Sequence, residues 1–90
     1  MKTYKLTIST PDGHIYDGDV VSLFVRGADG DLAVMAGHIP FATVVKAGAC
    51  KIETEDGTVK KASIDSGILT VGTDKAILLS GSFSWDGGEA

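Results

Sequence analysis

The clearest local signal of the fold lies in the stretch Cys50-Lys-Ile-Glu-Thr-Glu-Asp-Gly-Thr-Val-Lys60. Its first half alternates between a less polar and a charged set of side chains, namely Cys50, Ile52 and Thr54 against Lys51, Glu53 and Glu55. A period of two is typical of a β-strand with one buried face and one face in water. Asp56-Gly57 tolerates the positive φ that a type I′ turn requires. We therefore predict a tight hairpin in which residues 60–64 return beside the first strand.

Turn signals divide the rest of the chain into segments of strand length. They recur roughly every 8–12 residues, which is typical of an all-β sandwich or barrel. The signals are Pro11-Asp-Gly13, Asp17-Gly18, Asp29-Gly30, Gly37, Gly48, Asp56-Gly57, Ser66-Gly67, Gly72 and Gly81. We predict an all-β fold, a flattened sandwich or barrel of about ten short strands in two sheets, with no C-terminal helical hairpin. We expect this domain to span residues 1–84. Residues 85–90 lack apolar periodicity and are expected to form a flexible tail.

Three segments carry apolar side chains on both faces: Val20–Val25, Ile68–Val71 and Ala76–Leu79. A strand of this kind lies between two layers, or its outer face is covered by another molecule. One interpretation is a well-filled core between two sheets. The other is that Phe24, Ile77 and Leu79 exceed what one small core holds and form an exposed patch, a common marker of a protein interface. The sequence leaves both open.

The composition narrows the function classes. A net charge of −4 with scattered Lys and Arg disfavours nucleic acid as a partner, because phosphate binding requires clustered cations. The single cysteine, Cys50, excludes an internal disulfide and a zinc site of paired thiolates. We find no calcium loop, no phosphate-binding glycine loop and no Gly-x-Ser-x-Gly nucleophile motif. We therefore predict no catalytic residue, no metal, no cofactor and no small-molecule substrate.

Membrane association is expected to be indirect. Met1-Lys2 leads into Thr-Tyr-Lys rather than an apolar run, so we predict no secretory signal. No apolar segment approaches the ~20 residues that a bilayer crossing needs.

A second distinctive stretch is Gly27-Ala-Asp-Gly-Asp-Leu-Ala-Val-Met-Ala-Gly-His-Ile-Pro-Phe41. It joins an acidic turn, a short apolar run and a Gly-His-x-Pro corner. Asp29 and Asp31 lie two apart on extended chain and project to one side, toward water or toward a cationic partner. His38 in the corner reads most simply as a surface histidine bonded to nearby backbone.

Taken together, the motifs resemble the epsilon subunit of F-type ATP synthase, which is called delta in mitochondria. The resemblance runs from Lys5 to Ser82. It is carried by Tyr16-x-Gly18, Gly27-x-Asp-Gly-Asp-Leu32, Gly37-His-x-Pro40, Lys46-x-Gly48, Ser66-Gly-Ile-Leu69 and Ile77-Leu-Leu-Ser80. Ala33 and Ala36 depart from the family pattern, which often has Gly and Pro there.

The resemblance implies a non-catalytic rotor subunit of the central stalk that links the gamma subunit to the ring of membrane c subunits. Such a subunit couples ion-driven rotation to ATP synthesis at the cytoplasmic face of a bacterial plasma membrane, as a peripheral protein. The implied c-ring-facing residues are Asp29, Gly30 and Asp31. The implied gamma-facing residues are Thr10, His38, Pro40 and Thr43. We expect no counterpart of the family's C-terminal helical hairpin within residues 1–90, so ATP binding and inhibition through helices are not assigned.

Two alternatives from other classes stay open. A stand-alone β-sandwich module binding a small ligand would place aromatic side chains along a groove. A small hydrolase would bring His38 and Asp29 or Asp31 into one pocket with a shifted histidine pKa.

Overall fold

The computed structural model describes residues 2–28, 30–37 and 40–86, and ten β-strands account for most of them. The strands are β1 (Tyr4–Thr10), β2 (Gly13–Val20), β3 (Ser22–Gly27), β4 (Gly30–Met35), β5 (Phe41–Val45), β6 (Gly48–Glu53), β7 (Val59–Ile64), β8 (Gly67–Val71), β9 (Lys75–Ser80) and β10 (Phe83–Trp85). The predicted all-β class with about ten short strands is confirmed. Within these ranges there is no helix of the length and apolarity that a membrane crossing needs.

The strands form two groups of five that close on one another as a nearly complete barrel. One group runs β10-β7-β6-β3 with β4 on the far side of β3, and the other runs β5-β8-β9-β1-β2. A single Cα pair, Gly27 with Val45, joins β3 to β5 and so connects the groups. The strand pairs are antiparallel except that β1 runs parallel to β9.

The core lies between the two groups and is built by alternation. Strand β9 shows the pattern: Ala76, Leu78 and Ser80 are buried, while Ile77 and Leu79 face outward. The largest fully buried side chains come from both groups and include Leu6, Ile8, Leu23, Ile52, Leu69 and Leu78. Removing each of these apolar side chains from water contributes about 1.5–3 kcal/mol to folding.

Cys50 belongs to this core, as its place on the apolar face of the alternating strand predicted. Its side chain is buried, and burial raises the pKa of the thiol to about 12. The thiol therefore stays protonated at neutral pH and packs as a small hydrophobic group.

The hairpin between β6 and β7 forms where it was predicted, but the predicted type I′ turn is wrong. Only Gly57 has a positive φ, of 88°, whereas type I′ requires one at Asp56 as well. The Gly57 amide donates to the Thr54 carbonyl at 3.0 Å, and the Thr54 amide donates to the Thr58 carbonyl at 2.9 Å. These bonds define a three-residue loop in which Gly57 forms the bulge. The Asp56 carboxylate explains the difference, since it accepts from the Thr54 hydroxyl at 2.5 Å and from the Thr58 amide at 3.0 Å.

These hydrogen bonds predict a measurable pH dependence of the hairpin. The bond from the Thr54 hydroxyl, followed by that from the Thr58 amide, lowers the pKa of Asp56 from 3.8 to about 2. Because the folded-state pKa lies below the ordinary value, the stabilising effect is complete above about pH 4 and is lost as pH falls through about 2. NMR titration of the Asp56 carboxyl carbon should give a midpoint near 2, and Thr54→Val should return it toward 3.8. The remote variant Thr70→Val should leave the midpoint unchanged; an ordinary midpoint in the unsubstituted chain would contradict this account of the loop.

The folded part of the chain extends past residue 84, where the domain was predicted to end. The expectation that a flexible tail begins at residue 85 is therefore wrong. Ser84 and Trp85 lie in β10, which pairs with β7, and the Ser63 hydroxyl donates to the Asp86 carboxylate at 3.2 Å. The Trp85 ring packs edge-on against Phe83 and Tyr16, with centroids 4.8 and 6.1 Å away. This contact joins β10 and β2, the two ends of the strand path, through side chains. Residues 87–90 of the predicted tail lie outside the described residues.

Candidate interaction surfaces

Four exposed apolar side chains lie on the outer side of β5, β8 and β9, and we call this set, Val44, Ile68, Ile77 and Leu79, the apolar flank. Lys75 lies on the same face at the start of β9. Strand register places Val44, Ile68 and Leu79 in one row, because Val44 pairs with Ile68 and Ile68 pairs with Leu79. Their exposed fractions are 57%, 52% and 50%, and that of Ile77 is 39%. The row containing Ile77 continues into Ala42, Thr70 and Thr7, which are also uncharged. Contiguous exposed apolar side chains of this kind mark interaction sites.

The flank resolves one question that the sequence left open. Ile77 and Leu79, together with Phe24 at 42% exposure, lie outside the core. The interpretation of a core that holds all of the doubly apolar strands is therefore wrong. The core is filled by the alternate residues of the same strands, and the outward set is left exposed.

The flank also explains two of the sequence motifs. Ser66-Gly-Ile-Leu69 and Ile77-Leu-Leu-Ser80 lie on β8 and β9, where Gly67 pairs with Ser80 and Leu69 with Leu78. Each motif supplies both a core residue and a flank residue. The single hydrogen of the buried Ser80 hydroxyl is shared between the carbonyl oxygens of Asp65 and Ser82, which lie 3.0 and 2.7 Å from Oγ.

The residues predicted to face gamma do not all lie on the flank. Thr10 lies beside it, in a shallow depression that Pro11, Ile68 and Leu79 also line. Thr43 is half-buried and pairs with the buried Leu69, so its side chain is on the opposite face of β5 from Val44. Pro40 is exposed just before β5. His38 lies outside the described residues. The gamma-facing set therefore stays a prediction.

The acidic turn joins β3 to β4, and of its predicted residues the structure describes Gly30 and Asp31. Gly27 pairs with Gly30, which narrows the hairpin, and Arg26 pairs with Asp31. The Asp31 side chain is 80% exposed, and its Oδ1 lies 3.9 Å from Arg26 Nε. Exposed pairs of this kind contribute about 0–1 kcal/mol, so Asp31 remains accessible to another cation. Asp29 lies outside the described residues.

Arg26 is a site residue that the sequence reasoning missed. Its place follows from the register of the hairpin, because a narrow turn between Gly27 and Gly30 sets Arg26 opposite Asp31. The Gly27-x-x-Gly30 spacing was the signal that could have revealed the pair.

The acidic turn borders the apolar flank. Gly27 pairs with Val45, the neighbour of Val44 on β5, and Val45 pairs in turn with Gly67 on β8. The row of pairs through Gly27, Val45 and Gly67 lies next to the row that contains Val44 and Ile68. The turn is therefore one row away from the flank. Two partners that contact one another could occupy the two surfaces together.

The aromatic side chains do not form an open groove. Tyr16, Phe83 and Trp85 pack against the core, and the Lys60 ammonium lies 5.8 Å from the Tyr16 ring centroid and 5.7 Å from that of Trp85. The chain's own cation thus covers the rings that a small-ligand module would use. Across the described ranges, no three side chains of His, Cys, Asp or Glu converge as a metal site would require.

The fold defines a β-sandwich domain, and its exposed flank and acidic turn are candidate interaction surfaces. Residues 3–86 match the family described as the ATP synthase delta/epsilon chain, beta-sandwich domain. The chain belongs to this family.

Relatives across bacteria agree with the assignment. The chain is 40% identical over 79 residues to the ATP synthase epsilon chain of Bacillus velezensis, covering 88% of this chain and 59% of that one. It is 32% identical over 84 residues to the sodium ion specific ATP synthase epsilon chain of Acetobacterium woodii, covering 93% and 63%. The chain thus spans about three fifths of the length of these relatives.

Solved structures agree in fold. A chain in the OSCP/F1/c-ring structure of Euglena gracilis mitochondrial ATP synthase superposes with a TM-score of 0.87 at 22% identity, covering 92% of this chain and 53% of that one. A chain in the central stalk/c-ring structure of the Tetrahymena thermophila mitochondrial enzyme gives a TM-score of 0.71 at 13% identity, covering 88% and 63%. At these identities the likeness concerns the fold.

Proposed function

We propose that this chain acts as a non-catalytic rotor component of an F-type ATP synthase, linking the gamma subunit to the c ring. In this role it passes rotation driven by protons or sodium ions to the catalytic head. It works as a peripheral component at the cytoplasmic face of a bacterial plasma membrane. No cofactor is needed, because the coupling is mechanical.

The observation that carries the proposal is the adjacency of the apolar flank and an exposed acidic turn. An apolar surface gains affinity by removing area from water, at roughly 25 cal/mol per Å². A surface of this kind suits a partner that stays bound to it, as gamma does in a stalk. An acidic turn instead suits an exposed contact with basic loops, which is how we expect Gly30 and Asp31 to meet the c ring.

Charge reversal at Asp31 tests the c-ring contact. Asp31→Lys should weaken binding of the chain–gamma complex to purified c ring by about 3–10-fold at low salt, because an attractive contact becomes repulsive. The effect should shrink at high salt, where exposed charges are screened. The free energy of unfolding should fall by less than about 1 kcal/mol, the most that an exposed pair with Arg26 contributes.

Glu55→Lys provides the matched control, since it makes the same charge change on the exposed β6–β7 hairpin. It should leave c-ring binding within about twofold of the unsubstituted chain. Equal loss in both variants would mean that net charge, and not the acidic turn, controls docking. A large drop in melting temperature for Asp31→Lys would make Asp31 a structural residue.

A further inference from the structure

Strand β4, which carries the acidic turn at its start, is an edge strand of its group within the described part of the chain. It pairs with β3 and lies off the path that connects the other strands. As an edge strand it is held by its pairing with β3 and by the side chains of Leu32 and Val34, which pack on the core. The orientation of Gly30 and Asp31 therefore depends on what fixes β4 to the rest of the sandwich.

Tyr4 supplies such a contact from the other group of strands. Its hydroxyl donates a hydrogen bond of 2.7 Å to the carbonyl oxygen of Val34, a residue 30 positions away in sequence. Tyr4 and Val34 are 3% and 1% exposed, so the bond is shielded from water. A buried carbonyl oxygen needs a hydrogen-bond donor. The Tyr4 hydroxyl supplies the donor that a backbone amide of a neighbouring strand would otherwise provide.

We propose that Tyr4 is a positioning residue for the acidic turn. Its hydroxyl fixes β4 at Val34, and Asp31 lies three residues earlier, about 10 Å along the strand. The Gly27–Gly30 pairing holds β4 at the turn, and the Tyr4 bond adds a second fixed point on the strand that carries Asp31. Holding the turn in one orientation spares a partner the entropy of ordering it. The docking role of Tyr4 rests on the proposed function, whereas its hold on β4 does not.

The chain offers a matched pair of variants, because its two tyrosines are Tyr4 and Tyr16. Tyr4→Phe removes the hydroxyl that contacts β4 and keeps the ring in the core. Tyr16→Phe removes the same atom from the half-buried ring on β2. Amide hydrogen exchange by NMR reports the opening of β4, and titration of the chain–gamma complex with purified c ring reports docking.

Tyr4→Phe should accelerate exchange of the β4 amides that bond to β3 by about tenfold more than exchange of the β6 and β7 amides. It should also weaken c-ring binding by about 3–10-fold with Asp31 intact. Tyr16→Phe should do neither. A global loss of stability would instead raise exchange evenly, so the ratio between strands separates positioning from general weakening.

Two results would overturn the proposal: β4 exchange in Tyr4→Phe that rises no more than in β6 and β7, or faster β4 exchange with unchanged affinity. Failure of the unsubstituted chain to bind the c ring would be a different result. It would overturn the proposed function and with it the docking role of Tyr4, while the exchange ratio would still decide whether Tyr4 holds β4.

Discussion

Ile68→Asp is expected to lower the affinity of this chain for gamma by about 30-fold, which corresponds to about 2 kcal/mol at the centre of an interface. Ile68 lies between Val44 and Leu79 in the flank row, so a carboxylate there would be removed from water without a partner. The fold should hardly change, because the Ile68 side chain is already half exposed. We expect a cost to folding of less than about 1 kcal/mol. Isothermal titration with purified gamma measures the affinity, and urea denaturation measures the stability.

Val59→Asp is the matched control for this change. Val59 lies on β7, in the other group of strands, and is 52% exposed, the same fraction as Ile68. It should bind gamma within about threefold of the unsubstituted chain, since it changes a surface that the proposal leaves uncovered. Equal losses at both positions would show that any exposed apolar residue matters equally. The flank would then have no special role.

Gly67→Ala should cause the largest loss of stability, about 3 kcal/mol. Gly67 begins β8 and pairs with Ser80 on β9. A Cβ at this position would lie 1.9 Å from the carbonyl oxygen of Leu79 and 2.9 Å from Cα of Ser80. These are backbone atoms, so the strands themselves must move apart. The melting temperature should fall by about 12–24 °C, at roughly 4–8 °C per kcal/mol for a domain of this size.

Gly72→Ala separates this clash from the general effect of removing a glycine. A Cβ at Gly72 would meet Lys75 at 3.5 Å, which is ordinary contact. Its stability should stay within about 0.5 kcal/mol of the unsubstituted chain. If Gly67→Ala proves equally mild, the close approach of β8 and β9 does not constrain the fold as the structure indicates.

Much of the fold could be predicted from the sequence because strands and turns are local. Period-two alternation located β6 and β7, and glycine-containing turns marked most of the strand boundaries. Burial of Cys50 followed from the same alternation. Exposure of Ile77 and Leu79 on β9 was one of two alternatives that the sequence left open, and the structure decides for it.

Two of the features that were missed depend on contacts distant in sequence, and a third depends on local side-chain hydrogen bonds. Trp85 was assigned to a tail because β10 is too short for any periodicity, and its order comes from packing on Tyr16. The hydrogen bond between Tyr4 and Val34 has no local signal, since it joins the two groups of strands. The loop at Gly57 was misassigned because side-chain hydrogen bonds to Asp56 override the usual preference of Asp-Gly.

Photo-crosslinking in the assembled rotor shows which subunit covers the apolar flank. A photoreactive residue placed at position 68 or, separately, at position 59 reports which molecule covers each outer face when gamma and the c ring are bound. We expect a crosslink to gamma from position 68 and none from position 59. A crosslink to gamma from position 59 with none from position 68 would contradict this expectation.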